Sequence, residues 1–146
     1  MAQSKHVQRL QDFYAHFSLD KLAQLGEIYA PSIQFEDPIE KVEGIKELSD
    51  YFRHGLGNAQ SCSFHFEHVL EGTESTFLVW TMELSHTAIN KGKMIRVPGT
   101  SYIQFDPDSG LITHHRDFYD LGAMVYEHLP VIGFLIHQVR KRLEYK

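Results

Sequence analysis

Cysteine is all but absent from this 146-residue chain, where Cys62 stands alone. No internal disulfide can form, and no zinc cage can be built from thiolates. A lone thiol suits a reducing compartment, and we expect a cytoplasmic protein. Long apolar runs are missing as well. The longest, Val131 to Ile136, is broken by Gly133 and falls far short of the roughly 20 apolar residues that span a bilayer. The opening residues Met1 to His6 hold no apolar stretch, which argues against a secretory leader. Repeats, low-complexity tracts and a dividing linker are also lacking. We therefore expect one domain over residues 1–146, with a core of about 5–120 and a C-terminal helical extension over 121–146. There is no His-Glu-x-x-His pair and no glycine-rich phosphate loop. The chain has 10 histidines, but His65 and His68, like His114 and His115, fall on opposite faces of an extended strand. We expect no metal and no cofactor. The net charge of -5 excludes a general nucleic-acid binder and speaks against contact with an acidic membrane.

What is present is an ordinary globular mix, 42% hydrophobic and 23% charged. Val7, Leu10, Tyr14 and Phe17 recur at helical spacing. Ser18 reads as the N-cap of a second helix carrying Leu22, Leu25, Ile28 and Tyr29, stopped by Ala30-Pro31-Ser32. Ile33 to Glu36 alternates like a strand and runs into Asp37-Pro38. A third helix from Gly44 turns Ile45, Leu48, Tyr51 and Phe52 inward and ends at Gly55-Leu56-Gly57. From Ser61 the period drops to two. Strands are expected at Cys62–Leu70, Thr76–His86, Lys93–Phe105 and Leu111–Tyr119, with Pro130 opening a last helix. Helices first and antiparallel strands after predict an α+β domain, a curved antiparallel sheet wrapped around N-terminal helices.

Strand parity sorts the side chains. Leu78, Trp80, Met82 and Leu84 share one face of their strand. On the last strand His115, Asp117 and Tyr119 share a face, and His114, Arg116 and Phe118 the opposite one. A face bearing His, Asp and Tyr implies a wet pocket or a solvent-facing side. Asp117 then reads either as a cavity acid or as a structural ion-pair partner. Asp37 before Pro38 reads as a turn former or as a second acid, and Tyr14 as a core tyrosine or a hydrogen-bond donor.

The order of these segments resembles the nuclear transport factor 2-like superfamily, within it the steroid delta-isomerases and the SnoaL-type polyketide cyclases. Phe35-Glu36-Asp37-Pro38, Gly44-Ile45-Lys46-Glu47-Leu48 and Tyr51 to Gly57 are similar to the strand, turn and helix of ketosteroid isomerases. The resemblance implies a proton-shuttling base at Asp37 and a donor to the substrate oxygen at Tyr14. Ser101 stands where those isomerases carry a protonated aspartic acid. His115 to Asp120 resembles instead the motif of SnoaL-type cyclases and limonene-epoxide hydrolases, which implies an acid/base role for Asp117. Trp80 and Met82 occupy the region from which the hydrolases supply their arginine and second aspartate.

Together these readings predict a cone-shaped pocket for a small apolar molecule, with Asp37, Asp117 and Tyr14 as catalytic groups. Trp80, Met82, Ser101, His115 and Tyr119 line it. Two carboxyls in one cavity divide the acid and base roles, and Asp37, nearer the rim, is expected to be the more acidic. That chemistry suits a cofactor-independent isomerase, cyclase or hydrolase. The alternative is a binding or interaction module without turnover. A homodimer is expected through the sheet face opposite the helices, where Tyr102, Gln104 and Phe118 would otherwise meet water. The segment Val131–Lys146 is amphipathic with a basic end. It reads as a cover for the cone or a dimer contact, or else as a helix lying on a membrane surface.

Overall fold

The computed structural model describes residues 4–145. The first helix, α1 (Lys5–Ala15), starts where the Ser4 hydroxyl accepts a hydrogen bond from the Val7 amide. It buries Val7, Leu10, Phe13 and Tyr14 on one stripe. The expected second helix is shorter than its apolar spacing suggests. Leu19–Gln24 is a 3-10 segment, α2 covers only Leu25–Ile28, and Tyr29 already opens strand β1 (Tyr29–Glu36). Pro31 explains the early switch, because it disfavours helix at the residue before it and tolerates the extended strand. Ser18 makes no capping bond, and its hydroxyl goes to Asp20.

A short strand with no sequence signature, β2 (Lys41–Glu43), hairpins onto β1 before α3 (Gly44–Leu56). Gly44 has φ +84°, a conformation that favours glycine at this strand-to-helix corner. Four strands follow, β3 (Ala59–Glu71), β4 (Ser75–His86), β5 (Ile95–Phe105) and β6 (Ile112–Tyr119). The curved, unclosed sheet runs β2-β1-β6-β5-β4-β3, antiparallel throughout except where β1 lies parallel to β6. That parallel pairing places Phe35 opposite His115. Leu78, Trp80, Met82 and Leu84 are buried on the inner face, with Ile33, Phe35, Val97 and Ile103 from neighbouring strands. Each Leu, Ile, Val, Met or Phe among them contributes about 1.5–3 kcal/mol through burial.

One register expectation is corrected. A bulge in β3 between Phe66 and His68 lets His65 pair with Thr81 and His68 with Val79. The inserted residue flips the alternation, so both histidines face the same way. They are exposed, and no cluster of metal-ligating residues occurs among the described residues. Beyond β6 come α4 (Leu121–Met124), a 3-10 turn Tyr126–His128, and α5 (Pro130–Leu143), which Pro130 opens. Lys146 and residues 1–3 lie outside the described residues.

Candidate active site

The sheet brings side chains from five elements to its inner end. Tyr14 comes from α1, Tyr29 from β1, Trp80 from β4, Ser101 from β5, and His115 and Asp117 from β6. Ser101 and Asp117 are direct cross-strand partners, and His115 and Asp117 sit two apart on one face. The side chains form a continuous hydrogen-bonded chain. Tyr14 Oη lies 2.6 Å from Tyr29 Oη, and Tyr29 Oη lies 2.8 Å from His115 Nδ1. His115 Nε2 lies 2.7 Å from Asp117 Oδ1. From the other side, Trp80 Nε1–H donates to Ser101 Oγ at 2.8 Å, and Ser101 Oγ–H donates to Asp117 Oδ1 at 2.5 Å.

Counting protons favours one direction for this chain. If Tyr14 donates to Tyr29, and Tyr29 to His115 Nδ1, then His115 Nε2–H donates to Asp117. Every buried hydroxyl and N–H then has an acceptor. Reversing the tyrosines leaves the Tyr14 proton unpaired in a core where Tyr14 is only 6% exposed, a loss of about 1–3 kcal/mol. Asp117 is thus an acceptor twice over at Oδ1. Its Oδ2 makes no hydrogen bond within the described residues, and the side chain is 15% exposed. The imidazole is walled by Phe35, Tyr14 and Tyr29, the last stacked at 5.8 Å between ring centroids.

Asp37 occupies a second, differently built position. Its Oδ1 accepts the Ile39 and Glu40 amides at 2.8 and 2.9 Å, closing the turn that Asp-Pro announces. Its Oδ2 accepts the Tyr51 hydroxyl at 2.6 Å. Burial pushes the Asp37 carboxyl above its ordinary range, opposed in part by these three donors, and the charge of Asp117 adds to the rise. Asp37 is thus half-buried beside the exposed residues Pro38, Ile39 and Glu40. Tyr119 feels both acids. Burial foremost, then Asp37 and Asp117, keep its hydroxyl protonated far above neutrality, and that hydroxyl has no hydrogen-bond partner among the described residues. The hollow bounded by Tyr14, Phe64, Phe66, Trp80, Ser101 and His115 measures about 10 Å³, room for a single water at most.

A family model described as SnoaL-like domain matches residues 10–115. The chain belongs to the SnoaL-like domain family. No curated protein matches it. Solved structures share the fold at low identity. A Shewanella denitrificans OS-217 protein provisionally described as a SnoaL-like polyketide cyclase is 18% identical, with 81% of this chain and 93% of that one covered at a TM-score of 0.66. A Catenulispora acidiphila DSM 44928 protein with a ketosteroid isomerase-like fold, solved with trimethylamine, is 13% identical, with coverage of 88% and 96% and a TM-score of 0.73. An Agrobacterium tumefaciens C58 protein provisionally described as a SnoaL-like isomerase is 15% identical, with coverage of 79% and 94% and a TM-score of 0.61. At these identities the likeness concerns the fold.

Within this SnoaL-like chain, Trp80, Ser101, His115, Asp117 and Tyr14 are joined in one network. Tyr119 stands beside Trp80, ring centroids 6.4 Å apart. Met82 is buried two residues further along β4, outside the hydrogen-bonded chain. With the protons placed as above, Tyr14 donates to Tyr29. Three residues that matter were not singled out from sequence. Tyr29 was hidden in a helical reading, although its alternation with Ile33 and Phe35 fits a strand. Tyr51 reaches Asp37 across a turn and two elements, a contact no local pattern carries. Gly99 faces Trp80, and a Cβ there would sit 2.2 Å from the indole.

Proposed function

We propose that this SnoaL-like protein is a cofactor-independent enzyme that moves a proton on a small apolar substrate, as an isomerase or cyclase does. Asp117 Oδ2 removes a proton from carbon beside a carbonyl, and the Tyr119 hydroxyl donates a hydrogen bond to the oxygen as charge develops there. Asp117 then returns the proton at a second carbon. Ser101 and His115 fix the carboxylate in orientation, Trp80 holds Ser101, and Tyr29 with Tyr14 holds the imidazole. Asp37, bound to Tyr51, is the second acid of the site, and Met82 contributes apolar wall. The observation that carries this reading is the asymmetry of Asp117, with one oxygen doubly bonded to donors and the other unpartnered in a largely dry interior. Such an arrangement preorganises a base without neutralising it.

The test is deuterium uptake beside the carbonyl of a flat apolar ketone, 1-indanone in D₂O, followed by proton NMR. The wild-type protein is expected to accelerate exchange over buffer, and Asp117→Asn to lower that acceleration by about 100-fold. Equal rates for the two proteins sink the assignment. The filled interior supports a second reading, a module that binds an apolar ligand by opening around it without turnover. An apolar molecule found by native mass spectrometry on the purified protein, with no exchange activity, favours that reading. In either case we infer a homodimer through the outer sheet face. There Phe77 and Phe118 are exposed, and Tyr102, Gln104, Arg116 and Phe118 border a cleft of about 330 Å³. A monomer in sedimentation at micromolar concentration contradicts the dimer.

A further inference from the structure

Helix α5 leaves the body of the protein with its apolar side chains uncovered. Val131, Ile132, Phe134, Leu135, Val139 and Leu143 range from 48% to 81% exposed. The helix rests mainly on the Tyr126–His128 turn, where Gly133 allows close approach to the Glu127 carbonyl and Arg140 pairs with the Glu127 carboxylate. At about 100° per residue, Phe134, Val131, Leu135, Val139, Ile132 and Leu143 cover an arc of roughly 180°. That is wider than the single stripe with which a helix fills a protein groove.

Charge is divided in the same way. Residues 130–146 carry Arg140, Lys141, Arg142 and Lys146 against Glu144, a balance of +3 in a chain whose total is -5, which leaves -8 for residues 1–129. Glu127, which in sequence dilutes this charge, is only 13% exposed and is engaged by Arg140. Lys141 and Arg142 are left without a salt-bridge partner among the described residues. At the same spacing Arg142 falls within the apolar arc, between Val131 and Leu135 in projection. A protein groove accepting this arc has to bury that guanidinium, whereas lipid lets its stem lie among acyl chains while its head reaches phosphate.

We propose that α5 docks this protein on an anionic lipid surface, its apolar arc in the headgroup boundary and Lys141 and Arg142 on lipid phosphates. No helix among the described residues is long and apolar enough to cross a membrane, and the proposed helix lies in the plane of one. Co-sedimentation of the full chain with vesicles of phosphatidylcholine alone, and with 30% phosphatidylglycerol added, tests it. The wild type is expected to partition onto the anionic vesicles at least tenfold more strongly than onto neutral ones. Lys141→Gln with Arg142→Gln is expected to weaken binding roughly 25-fold, about fivefold for each cation. Leu135→Glu with Val139→Glu is expected to abolish binding with an unchanged circular dichroism spectrum, since both sites are exposed. Equal partition onto neutral vesicles, or binding retained by the double-Glu variant, overturns the proposal. So does a wild type that ignores vesicles but loses an oligomer on the double-Glu change, which assigns the face to a second copy of the chain.

Discussion

Two aspartates that look interchangeable in the sequence meet opposite surroundings. Asp117 keeps one oxygen free, while both oxygens of Asp37 are taken, by two turn amides and Tyr51. Desolvation still outweighs those donors at Asp37 and raises its carboxyl above the ordinary value near 4. The native protein therefore holds this proton more tightly than the unfolded chain does. That contribution to stability is complete below about pH 4 and is lost as pH rises through the raised native value. Asparagine keeps the acceptor for the turn and carries no charge to desolvate. We expect Asp37→Asn to be more stable than the wild type in urea at pH 7, with the advantage shrinking towards pH 4. A variant less stable than wild type at pH 7 contradicts this reading of the site. The turn role of Asp37 was legible from Asp-Pro alone. Its half-burial was not, because Tyr51 arrives from another element.

At the level of elements, period-two alternation read β4 and β6 correctly, since one face of each is packed and the other is not. It went astray where the alternation breaks. The β3 bulge reversed the relation of His65 and His68, and an apolar stripe shared by α2 and the start of β1 hid Tyr29 in a helix. Neither break leaves a local signal as strong as the pattern it interrupts. Gly99 is the element-scale feature with most consequence. It opposes Trp80 in the β4–β5 ladder, and the indole lies flat over the place where a side chain would be. Gly99→Ala is expected to push the ring aside, cost about 1–3 kcal/mol in overpacking, and break the Trp80–Ser101 bond. Trp80 is the only tryptophan, so a red-shifted emission together with a lower urea midpoint checks both consequences. An unchanged spectrum contradicts them.

Across the whole molecule, the helices-then-strands order announced an α+β cone, but strand order was beyond local reading. The parallel placement of β1 beside β6 is what sets Tyr29 and Phe35 against His115, and it joins residues separated by 86 positions in sequence. The uncovered face of α5 was likewise invisible, since amphipathic spacing does not say whether the chain itself supplies a partner. The fold's main achievement is to assemble Tyr14, Tyr29, His115, Ser101 and Trp80 into one directed set of hydrogen bonds that ends on Asp117. That direction has a single spectroscopic signature at His115. With imidazole nitrogens labelled by ¹⁵N, a long-range correlation spectrum at neutral pH distinguishes the tautomers. The proton is expected on Nε2, towards Asp117, with Nδ1 accepting from Tyr29. A proton found on Nδ1 reverses the chain, strands the Tyr14 hydroxyl and contradicts the account.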